Sequence, residues 1–345
     1  MVKKQQKNSG GCLWLIVTCI FTFVGFAFFS GFLGISASSA IAIAVVGSII
    51  LTSMILGMPS KKALILNGFL LFILFIGSKF LLQFLLRSVE EAQLKTPTFS
   101  KDESVKETFR IEDRDTIAVY SSHRIWRDNY GNSYNGDLTV REKDFTELKK
   151  LTSTYNATTT KNFWGNLYHY LEKESAPSLD LLVATFRQIE QEHQLTQMEF
   201  AEMVVTCIQD IPYSFVFQEE CLEADVYEDS IKYILQKCPD CCIGNILYGI
   251  QNPVSFMQNL KGDCDTRTVL IYSILKHFGY DVAILNSDFY RHSIIGLHLP
   301  AAGQHKIYKG KKYMLWETTA QFYEIGKLPS NFNNVTHWNV VLSSH

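Results

Sequence analysis

The chain lacks a dominant charge of either sign: 32 Lys and Arg stand against 34 Asp and Glu, a formal net charge of −2. No basic stripe with interleaved aromatics occurs, which excludes an electrostatic nucleic-acid surface. No internal repeat or low-complexity tract is present outside the apolar segments, so a repeat architecture is excluded. Metal-site spacing is missing too, because the Cys238-Pro-Asp-Cys241-Cys242 run has no second Cys pair or His pair to accompany it.

Charge is most conspicuously absent near the N-terminus. From Cys12 to Met58 there is no charged side chain, and from Ala63 to Leu86 only Lys79. A bilayer needs about 20 apolar residues per helix at about 1.5 Å rise each. The pattern therefore predicts three spans, 12–34, 37–58 and 63–86, within a membrane anchor over 12–87. A cleaved signal peptide fits less well, since the first apolar stretch exceeds the usual ~7–15 residues. A lipoprotein reading of Cys12 fails because the apolar stretch follows that residue. Lys3, Lys4 and Lys7 precede the first span, Lys61 and Lys62 separate the second from the third, and the first loop has no Lys or Arg. The positive-inside tendency then makes 1–11 a cytoplasmic tail and delivers everything after Arg87 to the extracytoplasmic side of a multi-pass protein.

Residues 88–115 are polar and charged, and read as a linker. A domain over 116–345 follows, with a β-rich preface at 116–160 and a helical and catalytic core at 161–345. Tyr120–Trp126 and Ser133–Val140 alternate with strand period around a turn at Asp128-Asn129-Tyr130-Gly131. Helices are expected at Asn162–Lys173 and Ser178–His193. A third is expected from the Thr196 and Glu199 capping box, with Cys207 on its core face.

Gly262-Asp263-Cys264-Asp265 stands directly before a mostly apolar run that ends at Phe278-Gly279. That predicts a buried helix with Cys264 in its first turn, where unpaired N–H groups and the helix dipole favour a thiolate. Three strands should follow: Asp281–Ser287, His292–His298 with His292 at its mouth, and Lys311–Glu317 with Glu317 at its end. A nucleophilic thiol needs a base, and the imidazole needs a third group on its other nitrogen. Cys264, His292 and Glu317 are those residue types. Taken singly, each also has a plain structural reading, as a small core residue, a satisfied polar residue and a solvated strand end.

This set resembles the transglutaminase-like superfamily: Gly-Asp-Cys264-Asp at a helix start, a strand opening at His292, and a strand closing with Trp316-Glu317-Thr318. Ile208-Gln209-Asp210-Ile211-Pro212-Tyr213, Asn252-Pro253-Val254 and Leu260-Lys261-Gly262 are similar to the family's approach to its catalytic helix, and the likeness covers about residues 196–326. It implies an α+β, papain-like fold with the catalytic helix packed on an antiparallel sheet, here preceded by three transmembrane α-helices. It also implies cysteine-dependent acyl transfer, through a thioester on Cys264 that passes to water or to an amine. The oxyanion hole would use the backbone N–H of Cys264 together with Tyr213 or Gln209. The family's usual acid is Asp; Glu317 is one methylene longer, so His292 must sit farther back or be oriented differently.

The stretch between Tyr213 and Asn252 has no counterpart in that pattern, and it holds Cys221, Cys238, Cys241 and Cys242. For an exported domain a disulfide among them is the first expectation, ahead of free thiols, a zinc site or a redox dithiol. The expected partners are a peptide or protein substrate and the membrane, without cofactor, metal or nucleic acid. The alternative is a noncatalytic scaffold or binding module of a membrane complex, since fold does not imply function.

Overall fold

A computed structural model describes residues 11–29, 37–57, 104–156 and 161–345, with isolated positions at 60, 69, 76, 77 and 79. The chain divides into two compact units, Met1–Ala92 and Gln93–His345.

In the first unit, α1 (Gly11–Ala27) packs against α2 (Ala37–Leu56). The contact uses small side chains. Ala40, Ala44, Ser48 and Thr52 recur every fourth residue along α2 and are all buried, and a Cβ added to Gly25 of α1 would meet Ala44 at 3.3 Å. Close approach of this kind suits helices in lipid, where apolar burial alone gives no preference for a partner. Among the described residues one helix is long and apolar enough to cross a membrane, with its apolar core at Ser39–Leu56; the apolar stretch of α1, Leu13–Ala27, is shorter. The third expected span, 63–86, lies outside the described residues except at Phe69, Ile76, Gly77 and Lys79.

The second unit is mixed α and β, and its two larger sheets are antiparallel. A meander comes first, β1 (Lys106–Glu112), β2 (Asp115–Arg127) and β3 (Ser133–Arg141), paired in that order. The strand β1 lies inside the stretch read as a linker. Its side chains are almost all exposed, Phe109 and Ile111 included, and two alternating apolar residues in a charged stretch did not mark it as a strand. Helices α3 (Glu142–Ser153), α4 (Phe163–Ser175), α5 (Asp180–His193) and α6 (Gln197–Gln209) follow. Thus the region read as a β-rich preface ends in a helix. The start of α6 carries the full capping box: Thr196 Oγ1 accepts from Glu199 N, and the Glu199 carboxylate accepts from the Thr196 N–H.

A short parallel pair, β4 (Phe215–Val216) with β5 (Cys242–Ile243), brackets α7 (Asp229–Lys237). Then come α8 (Pro253–Asn259) and α9 (Cys264–His277), followed by β6 (Val282–Ser287), β7 (His292–Leu297), β8 (His305–Tyr308), β9 (Lys311–Trp316) and β10 (Asn339–Ser343). The last five make one antiparallel sheet in the order β10-β6-β7-β9-β8. Helix α9 lies across β6 and β7 with α6 and α8 alongside. All but three of its fourteen residues are buried, and it is therefore enclosed on every side rather than along one stripe.

Candidate active site

Placement of Cys264 begins with the residues before it. Asp263 is the N-cap of α9 and its side chain accepts from Thr266 N at 3.0 Å. Gly262 is required there by packing, since an added Cβ would stand 2.8 Å from the Phe256 ring. A parallel bridge joins Gly262 to Tyr213, with Ser214 N donating to Gly262 O at 3.3 Å.

The clamp on this turn is Arg267, which sequence reasoning did not single out. Its fully buried guanidinium donates to four backbone carbonyls: Gly262 at 2.9 Å, Ile208 at 2.7 Å, Ile211 at 2.7 Å and Pro212 at 2.6 Å. One cation thereby ties the start of α9 to the end of α6, and burial lowers its pKa to about 10. The available signal was a single Arg one turn after the Cys, inside a run too apolar to offer it a solvent face.

His292 opens β7 and is held from the opposite side. Its Nε2 is 2.9 Å from Glu317 Oε2. That leaves Nδ1 to serve the Cys264 thiol, and the titrations of the thiol and the ring are coupled to each other. Phe332 stacks on the imidazole at 4.8 Å between centroids. Thr268 of α9 meets Ser293 of β7 at 3.2 Å, which fixes the helix and the histidine strand to each other. The extra methylene of Glu317 does not prevent a direct bond to the ring.

Glu317 itself is 1% exposed. Its Oε1 accepts from Thr318 N at 2.9 Å, Thr319 N at 2.8 Å and Thr319 Oγ1 at 2.6 Å, leaving Oε2 to the histidine. Burial opposes its charge, but His292 and then the Thr319 donors outweigh that and bring the carboxyl down to about 2. Burial also opposes a charge on His292, yet Glu317 and Cys264 hold that ring well above its usual value.

The thiolate expectation needs correction. Cys264 is 7% exposed, and burial followed by the neighbouring Asp265 charge pushes its thiol above the ordinary value, with His292 pulling the other way. The helix start is flanked by two acidic side chains, which offset its dipole. Asp265 is fixed by the Tyr168 hydroxyl at 2.8 Å, itself bonded by Asn286 at 2.7 Å. Burial and the Asp265 charge push the Asp263 carboxyl up to about 7. The raised thiol means that deprotonation of Cys264 is favoured by rising pH rather than complete at the helix start.

The two oxyanion candidates separate. Tyr213 lies near enough to Cys264 to feel its charge; burial first, and that charge second, raise its pKa and keep its hydroxyl protonated, hence a donor. Gln209 is turned away. Both of its amide hydrogens are engaged, by the Glu317 carbonyl at 2.6 Å and the Tyr323 carbonyl at 3.0 Å, so it supports the acid's backbone and has no donor left for an oxyanion.

In the preceding segment the four cysteines pair as Cys221–Cys242 and Cys238–Cys241. Cys207 is buried on α6, where burial drives its thiol far upward, so of the two free cysteines described in this unit only Cys264 has a base beside it. Compared with known proteins, the chain matches no family model, no curated protein and no solved structure.

Proposed function

We propose that the second unit is a cysteine-dependent acyl-transfer enzyme of the transglutaminase-like, papain-like kind, carried on a multi-pass membrane anchor of three helices and facing the extracytoplasmic space. The observation that carries this reading is Cys264 at the first position of a buried helix, electrostatically coupled to the His292 ring, with Glu317 2.9 Å from His292 Nε2. Few structural roles need a carboxylate satisfied by three donors on one oxygen and an imidazole on the other.

In this reaction the His292 ring accepts the Cys264 proton as sulfur bonds to the carbonyl carbon of an amide. The oxyanion is met by the Cys264 N–H, which as the first helical residue has no intrahelical acceptor, and by the Tyr213 hydroxyl. The imidazolium returns its proton to the departing amine, leaving a thioester. Water or a second amine then releases the acyl group, giving hydrolysis or transamidation. Glu317 keeps the ring in the tautomer that presents an unprotonated nitrogen to the thiol.

The second reading is a noncatalytic module, favoured by the burial of Cys264. The two are separated by incubating the full chain in detergent with blocked glutaminyl and peptidyl amides at alkaline pH, with acid quench and peptide mapping. An acyl adduct on Cys264 that hydroxylamine discharges supports the enzyme. Absence of any adduct across the panel supports the module.

A further inference from the structure

Four aromatic rings of the disulfide-bearing segment take no part in either buried cluster of this unit, and none is fully solvated. Tyr213, Phe215 and Phe217 alternate along the extended segment that carries β4, and their rings are in contact in that order. The Tyr213 ring meets Phe215 at 5.3 Å edge to face; Phe215 stacks on Phe217 at 5.6 Å and 5°, and Phe217 on Tyr227 at 5.0 Å and 14°.

Both ends of this row are tied to chain neighbours of the Cys264–His292 pair. Tyr213 bridges to Gly262, two residues before Cys264. At the other end Glu228, next to Tyr227, accepts from Arg291 at 3.0 Å, and Arg291 immediately precedes His292. The backbone of the row is fixed as well, by Phe215 N to Cys241 O and Phe217 N to Ile243 O, each 2.9 Å, and by the Cys221–Cys242 disulfide. The row thus runs between the turn that precedes the nucleophile and the residue that precedes the base.

We propose that this wall is the substrate groove, and that its occupant is an extended polypeptide segment carrying an aromatic side chain beside the amide that Cys264 attacks. The inference deepens the acyl-transfer reading and rests on it. Residues 213–217 span about 13 Å at strand rise, the length of about four extended residues of a bound chain and more than a single small acyl group needs. Uncharged ring surfaces suit an aromatic or large aliphatic side chain. The segment from Ser214 to Ile246 holds seven acidic residues against Lys232 and Lys237, which disfavours an acidic occupant.

The test is binding to the full chain carrying Cys264→Ala, in detergent micelles, by fluorescence polarisation of labelled blocked pentapeptides. Ala-Ala-Phe-Ala-Ala is expected to bind about ten-fold or more tightly than penta-alanine, and a central Glu more weakly than either. Phe217→Leu keeps an apolar side chain but removes the flat ring, and should cut the Phe preference about three- to ten-fold while penta-alanine binding is unchanged. If Phe217→Leu lowers the melting temperature, Phe215→Leu supplies the same comparison. Equal binding of the Phe and Ala peptides overturns the proposal, as does a Phe preference that survives both substitutions. Displacement of the Phe peptide by an equimolar neutral hexasaccharide overturns it in favour of a sugar ligand. Because Cys264 is absent from this assay, a groove that binds while wild-type protein forms no acyl adduct refutes the acyl-transfer reading and leaves the groove standing.

Discussion

Replacing Glu317 by glutamine tests the acid's two roles at once. The carboxyl is held at about 2 against an ordinary 4.5, a difference worth about 3 kcal/mol of folding stability at neutral pH. Because the folded value is depressed, this contribution is complete above the unfolded pKa. It is lost progressively as pH falls from about 5 towards 2. The Glu317→Gln side chain preserves the shape and an acceptor for the Thr318 and Thr319 donors, but it presents an N–H₂ to the His292 nitrogen now bonded at 2.9 Å. The ring must turn over its tautomer and point an N–H at Cys264, where a base is needed. Turnover should therefore fall by about 10³- to 10⁴-fold, as removal of a triad carboxylate does elsewhere. Pulse proteolysis of the full chain in detergent, across a urea series at pH 7 and at pH 3, reads the stability directly. The parent should lose most of the difference between the two proteins on going to pH 3, and Glu317→Gln should titrate less over that interval. Equal stability at pH 7, or an unchanged acid limb in the variant, would refute the reasoning.

Thr196→Ala removes the N-cap of α6 and should cost about 1 kcal/mol in the same assay with adduct formation at Cys264 retained; loss of chemistry at unchanged stability would show the residue misread. Arg267→Met leaves four carbonyls without their donor and should destabilise the domain by about 3–5 kcal/mol, enough to lower its melting temperature by about 10 °C or more. A melting curve that coincides with the parent's contradicts the clamp. For topology, protease added outside intact cells should digest the chain beyond Arg87; protection until lysis would reverse the orientation.

Local sequence was enough to place Cys264, His292 and Glu317, because each sits where an element begins or ends and its neighbours carry the periodicity. Strands β6, β7 and β9 are bounded by turn residues and rich in buried aliphatics. What escaped notice is non-local. The four carbonyls that Arg267 collects lie 5 to 59 positions away in the chain. The direction of the Cys264 pKa depends on burial by the whole fold and on Asp265, neither of which a helix-start argument weighs. Gln209 was misassigned for the same reason, since its partners Glu317 and Tyr323 are 108 and 114 positions away. The exposed strand β1 carries only Phe109 and Ile111 in alternation, and β4 and β5 are two residues each, too short for a period to register.

The measurement that bears most directly on the central claim is the pH profile of Cys264 alkylation. Native full-length protein is treated with iodoacetamide from pH 6 to pH 10 and mapped by mass spectrometry. Burial and Asp265 place the rise in the alkaline range. His292→Ala, which removes the cation that opposes them, should move it higher still, and Asp265→Asn should move it lower. A Cys264 profile that ignores both substitutions would mean that the thiol is not coupled to the imidazole, and the nucleophile assignment would fail.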